Sequence, residues 1–201
     1  MRRVPWWAML SSLLAPVLLV GGWTVAAAVQ PAGYSPVRDT ISALAGHAAA
    51  HRWIMTVALA GVGVCHLTTA AGLGAARARL AGRVVLAVGG VATLLVAASP
   101  LPRTGGSAPH GVAATIAFAS LALWPLLATG RAPGTPWPLR PAASLTATAV
   151  LLTLVGWFAV QLSGDGAWIG AAERAAAGAQ AIWPLVVVLA ARYAVVPSRT
   201  P

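Results

Sequence analysis

The sequence predicts an all-α integral membrane protein, built as a bundle of six transmembrane helices with both termini in the cytoplasm. Of its 201 residues, 59% are hydrophobic and 8% are charged, and the mean hydropathy is +0.81. An ordinary soluble domain carries about 25% charged residues. This composition excludes a water-soluble globular domain and a disordered chain. The single cysteine, Cys65, also excludes an intrachain disulfide.

Six charge-poor intervals predict the spans, because a helix crosses the hydrocarbon layer with about 20 mostly apolar residues. From the first interval to the sixth, the bracketing charged residues are Arg3 with Arg38; Arg52 with Arg77; Arg83 with Arg103; Arg103 with Arg131; Arg140 with Asp165; and Arg174 with Arg192. We predict one transmembrane domain over residues 1–201, with helices at 8–29, 53–74, 84–99, 110–129, 142–162 and 174–192. The first interval exceeds the 7–15-residue apolar core of a signal peptide, which favours a retained helix over a cleaved one.

The arginines predict the orientation of the bundle. All 13 basic residues are arginine, and the net charge of +10 would suit nucleic-acid binding if they formed a basic stripe. They are dispersed between apolar runs instead, so we predict no nucleic-acid partner. With a cytoplasmic N-terminus, nine arginines lie inside and four outside, as the positive-inside rule favours. The inner set is Arg2, Arg3, Arg77, Arg79, Arg83, Arg131, Arg140, Arg192 and Arg199, and the outer set is Arg38, Arg52, Arg103 and Arg174.

The predicted outer loops hold all three acids and three of the four histidines. A ligand site beneath these loops would be built from Arg38, Asp39, His110, Glu173 and Arg174. The alternative is structural, with ion pairs that fasten the first outer loop. In that case Arg38 pairs with Asp165 or Glu173, and Asp39 is the N-cap of a short helix that starts near Ile41.

Histidines outside that site are candidates for metal binding and proton transfer. His47 and His51 are four residues apart, a spacing that places both on one helix face and suits one metal ion. No further ligand is fixed in sequence, so they are weak candidates, and we predict no metal and no cofactor. His66 lies near the middle of the second span, where an ionisable residue suggests a proton or ligand role. The alternative is a neutral imidazole bonded to Thr, Ser or Gln of a neighbouring helix.

Three short motifs resemble the DUF998 family of bacterial six-helix membrane proteins. They are PAGYSP at 31–36 with ISAL at 41–44, SPLP at 99–102 with the His110–Gly111 pair, and GAAER at 170–174. The resemblance implies a multipass protein of the bacterial inner membrane, and it implies no activity. The lipid bilayer is therefore the expected partner, with the oligomeric state left open.

Three functions fit these residues. The first is a protein that binds a lipid or small ligand at the outer polar site. The second is an enzyme acting on a lipid headgroup or envelope precursor, with His110 as acid or base and with Arg38 and Arg174 on an anionic group. The third is a small proton-coupled transporter that uses His66. The binding and enzyme hypotheses require the five outer residues to converge on one cavity.

Overall fold

The computed structural model describes residues 4–193, and this part of the chain forms seven α-helices joined by turns and loops. The helices are α1 (Trp6–Ala28), α2 (Ile41–Leu44), α3 (Trp53–Gly72), α4 (Leu80–Ala98), α5 (Ala108–Leu127), α6 (Pro141–Ser163) and α7 (Ile169–Arg192). Two 3₁₀ turns, at Leu73–Ala76 and Trp137–Leu139, lie between long helices. The all-helical prediction is confirmed for the described residues.

Six of the helices, all except the short α2, are long and apolar enough to cross a membrane. The largest departures from the sequence-based boundaries are at α4, which begins at Leu80, and α7, which begins at Ile169. Charged residues do not end a helix by themselves, because a long side chain can reach a polar partner beyond the apolar layer. Arg83, inside α4, donates to the carbonyl oxygens of Ala70 and Ala71 at 2.9 and 3.2 Å.

The long helices form a closed ring. Each packs against the next long helix in sequence, and α7 returns to α1. The most extensive contacts join α1 to α3, α3 to α4 and α4 to α5. Helix α6 is the least buried of the six, and its contacts with α5 and α7, like the contact of α7 with α1, are less extensive than the other three.

Glycines allow α3 and α4 to approach closely. A Cβ atom on Gly63 would lie 2.7 Å from the carbonyl oxygen of Gly90, and one on Gly90 would lie 2.8 Å from that of Gly63. Membrane helices gain stability from such backbone proximity, since lipid provides no hydrophobic force between them. This contact fixes one wall of the ring.

The bundle has two ends. We call the end with α2 and the connections 29–52, 99–107 and 164–168 the α2 side. The opposite end is the terminal side, with residues 4 and 193 and the connections 77–79 and 128–140. The Arg192 guanidinium donates to the Val4 carbonyl oxygen at 2.9 Å, so both described ends of the chain lie together. Arg2, Arg3 and Arg199, three of the nine arginines predicted on the inner side, lie outside the described residues.

Candidate functional site

Residues 34–44 form a segment, here called the strap, that lies across the N-terminus of α7. The Val37 carbonyl oxygen accepts from the backbone N–H groups of Gly170 and Ala171, at 2.9 and 3.1 Å. These are among the donors that a helix start leaves without an intrahelical partner. Gly170 permits the contact because a Cβ there would lie 2.7 Å from the Pro36 carbonyl oxygen and closer still to that of Asp39.

The Arg174 side chain binds the strap to the start of α7. Its guanidinium donates to four oxygen atoms: the carbonyls of Pro36 (2.7 Å), Asp39 (2.8 Å) and Gly170 (2.9 Å), and the Tyr34 hydroxyl (2.5 Å). It also lies 5.9 Å from the ring centroid of Trp23, a cation–π distance. The sequence-based role of Arg174 was to bind an anionic group. The structure instead commits its Nη1 and one Nη2 donor to the protein itself.

The Tyr34 hydroxyl takes part in the contact with Arg174 as a neutral phenol. Burial raises the pKa of Tyr34 above its usual value of 10.0, although the Arg174 guanidinium acts in the opposite direction. The hydroxyl therefore stays protonated at neutral pH while it accepts the hydrogen bond from Arg174.

Glu173 ties α7 to the start of α2. The residue is 3% exposed. Its Oε2 accepts from the Ile41 backbone N–H, and its Oε1 accepts from the Ser42 hydroxyl at 2.8 Å. A buried carboxylate needs such partners because desolvation of an unpaired charge is costly. Glu173 thus supplies a buried acidic group directly beneath the strap.

The expected N-cap of α2 was wrong by one residue. Thr40, not Asp39, has the extended backbone of a cap, and its Oγ1 accepts from the Ala43 N–H at 2.9 Å. The Asp39 carboxylate points back along the strap and accepts from the Ser35 N–H at 2.7 Å. An aspartate can accept from either direction, so sequence alone does not settle which residue caps.

The expected ion pair of Arg38 with Asp165 or Glu173 is not formed. Arg38 is exposed, and the carboxylate of Glu173 is occupied by Ile41 and Ser42. Asp165 accepts from the Ala167 N–H at 3.2 Å. Pairing with Glu173 would require a hydrated guanidinium to be buried under α2, whereas the strap supplies donors without that cost.

His110 lies at the start of α5 and is 6% exposed. Its Nδ1 is 2.8 Å from the Ser99 carbonyl oxygen. Because a carbonyl oxygen only accepts, the Nδ1 must carry the proton, and the Nε2 of the neutral ring is an acceptor. This bond fixes the tautomer and joins the 99–107 connection to α5.

A groove of about 490 Å³ runs between α5 and α6 from the α2 side, and we call it the α5–α6 groove. Its volume falls within the range of small-molecule sites, about 300–1,000 Å³. The polar lining side chains are Thr40, Ser42, Ser107, His110, Thr115 and Glu173. Apolar side chains of α5 and α6 line the rest, and among them the rings of Phe118 and Phe158 have centroids 5.2 Å apart. The groove therefore combines a polar part with an apolar part.

A smaller cavity of about 60 Å³ lies inside the ring, and we call it the central cavity. Its polar lining residues are Ser42, His66, Thr93, Glu173 and Gln180. Ser42, Ala114, Phe118 and Glu173 also line the α5–α6 groove, so the two spaces adjoin. His66 is 1% exposed, and within the described chain its Nδ1 has no hydrogen-bond partner. The alternative offered for His66, a bond to Thr, Ser or Gln of a neighbouring helix, is therefore not made by its Nδ1.

Sequence reasoning missed three polar residues of the central cavity: Ser42, Thr93 and Gln180. Gln180 follows Glu173 by seven residues, which is two helical turns and places both on one face of α7. That spacing could have identified Gln180, whose Nε2 donates to the Phe118 carbonyl oxygen at 2.9 Å. Thr93 stands alone in the apolar α4, where a single threonine gives no comparable signal.

His47 and His51 do not share a helix face. Both lie in turns between α2 and α3, and His51 has a positive φ of 47°. The His47 N–H donates to the Leu101 carbonyl oxygen at 2.8 Å, which joins the connection between α2 and α3 to the 99–107 connection. Residues 45–52 do not continue α2 as a helix. Within residues 4–193, no three His, Cys, Asp or Glu side chains are grouped to hold a metal ion.

The five predicted outer residues do not converge on one cavity, so the five-residue site expected for a ligand or substrate is not formed; of the five, only His110 and Glu173 line the α5–α6 groove. Asp39, Glu173 and Arg174 meet at the strap, and His110 shares the α5–α6 groove with Glu173. Arg38 is exposed on the strap and does not line the groove. Residues from the three family-like motifs also meet, since Ser42, Leu101, His110 and Glu173 all line the α5–α6 groove.

A protein family of known sequence pattern matches most of this chain. The family DUF998, described as a protein of unknown function, matches residues 13–190, which is most of the chain. No curated protein and no solved structure matches it. Six apolar helices and this match identify a multipass membrane protein. The chain belongs to the DUF998 family.

Proposed function

We propose that this protein binds a single-chain amphiphile in the α5–α6 groove, with the polar head near Glu173 and His110 and the apolar chain between α5 and α6. The observation that carries the proposal is the make-up of that groove, which joins buried polar side chains to an apolar passage beside the least buried helix. An amphiphile matches both parts.

The polar end must supply most of the affinity. An apolar chain gains little by leaving the bilayer for the groove, because lipid is as apolar as the lining side chains. Hydrogen bonds to buried groups are stronger than in water, since the surroundings have a low dielectric constant. Glu173 and His110 are 3% and 6% exposed, so a head group that reaches them meets such surroundings.

The enzyme hypothesis finds less support in this geometry. It required Arg38 and Arg174 to hold an anionic group beside His110. Arg38 is exposed, and the guanidinium of Arg174 is bonded to the strap. The His110 Nε2 remains available as an acceptor, which serves binding as well as proton transfer.

We further propose that the terminal side faces the cytoplasm and that the protein lies in a bacterial inner membrane. The support is the distribution of arginine, with nine on the terminal side of the predicted topology and four on the other. Reporter fusions at the C-terminus and within 128–140 should both report the cytoplasm. A periplasmic signal from either would contradict this orientation.

Native mass spectrometry of the full-length protein, released from lipid nanodiscs, tests the binding proposal. The wild type should retain one amphiphile, and Ala159→Trp, which fills the groove, should lose it. Ala149→Trp is the matched control because Ala149 is also exposed on α6 and does not line the groove. Equal retention by both variants would overturn the proposal.

A second candidate is a small proton-coupled transporter, which is favoured by the Nδ1 of His66, a nitrogen without a hydrogen-bond partner among residues 4–193. This nitrogen is buried in α3, and His66 shares the central cavity with Glu173, Thr93 and Gln180. The central cavity adjoins the α5–α6 groove, so polar groups extend from the α2 side towards the middle of the bundle.

Proteoliposomes loaded with a pH-sensitive dye test this candidate. Above the signal of protein-free liposomes, a gradient of a single-chain amphiphile, here an alkylamine, should drive proton movement in the wild type but not in His66→Gln. His47→Gln is the control, because that histidine lies in a turn outside both cavities. Proton movement that persists in His66→Gln would reject the candidate.

A further inference from the structure

We propose that the head group bound in the α5–α6 groove is an amine on a single alkyl chain, and not a phosphate. This inference rests on the proposed function and adds the chemical class of the occupant. Its basis is the balance of hydrogen-bond donors and acceptors that the groove presents.

The donors near the polar end are largely occupied by the protein. The Ser42 hydroxyl donates to Glu173 at 2.8 Å, and the Thr115 hydroxyl donates to the Gly111 carbonyl oxygen at 2.8 Å. The Ile41 N–H donates to Glu173, and the Ala43 N–H donates to Thr40. A ligand therefore finds few free donors there.

Arginine does not make up this shortage. Among residues 4–193, no arginine lines the groove, and the nearby Arg174 donates to three backbone carbonyls and to Tyr34. Sites for phosphate characteristically place arginine or lysine on the anion. The groove lacks that arrangement in the part of the chain that the structure describes.

Acceptors, in contrast, face the groove. Each Glu173 carboxylate oxygen accepts one hydrogen bond, from Ile41 or Ser42, and keeps a second lone pair for a ligand. His110 supplies its Nε2, because the Nδ1 of that ring is fixed on Ser99. Thr40 and Ser107 accept from backbone N–H groups, so their hydroxyl protons are the free side-chain donors of the lining. An amine can donate to Glu173 or to His110, and a charged ammonium would also pair with the carboxylate.

A phosphate head would meet the opposite situation. Among the residues that the structure describes, it would meet the acceptor oxygens of Glu173, two hydroxyl donors and no cation in the lining, so most of its own oxygens would be buried without a donor. Selectivity against phosphate thus follows from the same residue, Glu173, that attracts an amine.

Equilibrium binding to the full-length protein in nanodiscs tests this inference, with empty nanodiscs subtracted. The probes are dodecylamine, dodecanol, dodecyl phosphate and propylamine. We expect dodecylamine to bind roughly 10- to 100-fold more tightly than dodecyl phosphate, as one charge-assisted hydrogen bond would give, with dodecanol between them. Propylamine should bind far more weakly, because it lacks the chain.

The outcomes separate the two proposals. Tighter or equal binding of dodecyl phosphate would overturn the amine assignment and leave the groove as an amphiphile site. Failure of all three dodecyl probes to bind would overturn the proposed function itself. Equal binding of propylamine and dodecylamine would show a site for a free amine, which supports the head-group class and contradicts the amphiphile.

Two variants test whether Glu173 causes the preference for dodecylamine over dodecanol. Glu173→Gln should reduce the preference for dodecylamine over dodecanol by about tenfold, while Asp165→Asn should leave it unchanged. Asp165 is a suitable control because it is an exposed acid on the same side of the bundle and does not line the groove. A preference that survives Glu173→Gln would overturn the assignment, and if that variant does not fold, the wild-type probe series decides.

Discussion

The Arg174 guanidinium donates a hydrogen bond to the Asp39 carbonyl oxygen across 2.8 Å, which joins residues 135 positions apart in the chain. This bond and its three companions make the strap and the start of α7 one structural unit. Arginine acts here on backbone oxygen atoms that would otherwise be poorly paired beneath the strap.

Replacement of Arg174 by lysine should loosen the strap. A lysine ammonium is compact and cannot reach the four oxygen atoms that the planar guanidinium contacts. We expect a loss of roughly 2 kcal/mol in the free energy of unfolding, measured by titration with a denaturing detergent. Arg38→Lys, at an exposed position, should change it by less than about 0.5 kcal/mol. Equal losses in the two variants would contradict the anchoring role.

Gly170→Ala should destabilise the protein because its Cβ would lie 2.7 Å from the Pro36 carbonyl oxygen. Overpacking of this kind costs about 1–3 kcal/mol, here measured as a lower Tm. Gly178→Ala is the matched control on α7, since its Cβ would contact Trp23 at an ordinary 3.6 Å. The gain in helix propensity is common to both variants. A Tm for Gly170→Ala equal to that of Gly178→Ala would contradict this prediction, because it would show that the strap moves away from the added Cβ without loss of stability.

The strap should weaken at alkaline pH through Tyr34. Burial raises the folded-state pKa of Tyr34 above 10.0, so the folded state holds this proton more tightly than the unfolded state does. The resulting stability is fully present below pH 10 and is lost as the pH rises through the folded pKa. Stability measured against pH should fall less steeply above pH 10 in Tyr34→Phe than in the wild type. A tyrosinate spectrum that assigns Tyr34 a pKa below 10 would contradict this sign.

The neutral ring of His110 should carry its proton on Nδ1. Nitrogen NMR of the labelled protein at alkaline pH should show a protonated Nδ1 and an unprotonated Nε2, since the Ser99 carbonyl oxygen requires a donor. His51, exposed in its turn, gives the comparison of a ring without this constraint. The opposite tautomer at His110 would remove the acceptor that the groove is proposed to present.

Hydropathy predicted the spans well because length and apolarity are local properties of the chain. Helix ends were harder, since Arg83 and Arg174 lie inside helices whose neighbouring segments supply their partners. The site was predicted in composition but not in function. Glu173 and His110 do face one groove, whereas the role of Arg174 depends on carbonyl oxygens that only the folded strap places within reach.

The errors at Asp39 and at His47 with His51 have a common cause. Each rested on assuming a helix from spacing or cap preference, and each lies in the connection around α2, where turns decide the path. The positive φ of His51 is a backbone conformation, and the bond from His47 to Leu101 is a contact between segments distant in sequence. Residue types alone predict neither.

Photo-crosslinking most directly tests the central claim that one amphiphile lies between α5 and α6. The probe is a dodecylamine with a diazirine on its chain, bound to the full-length protein in nanodiscs and mapped by peptide mass spectrometry. The account predicts labelling of residues 114–119 and 155–162, and loss of that labelling in Ala159→Trp. Labelling spread evenly over lipid-exposed positions such as Val25, Val57 and Val150 would contradict it.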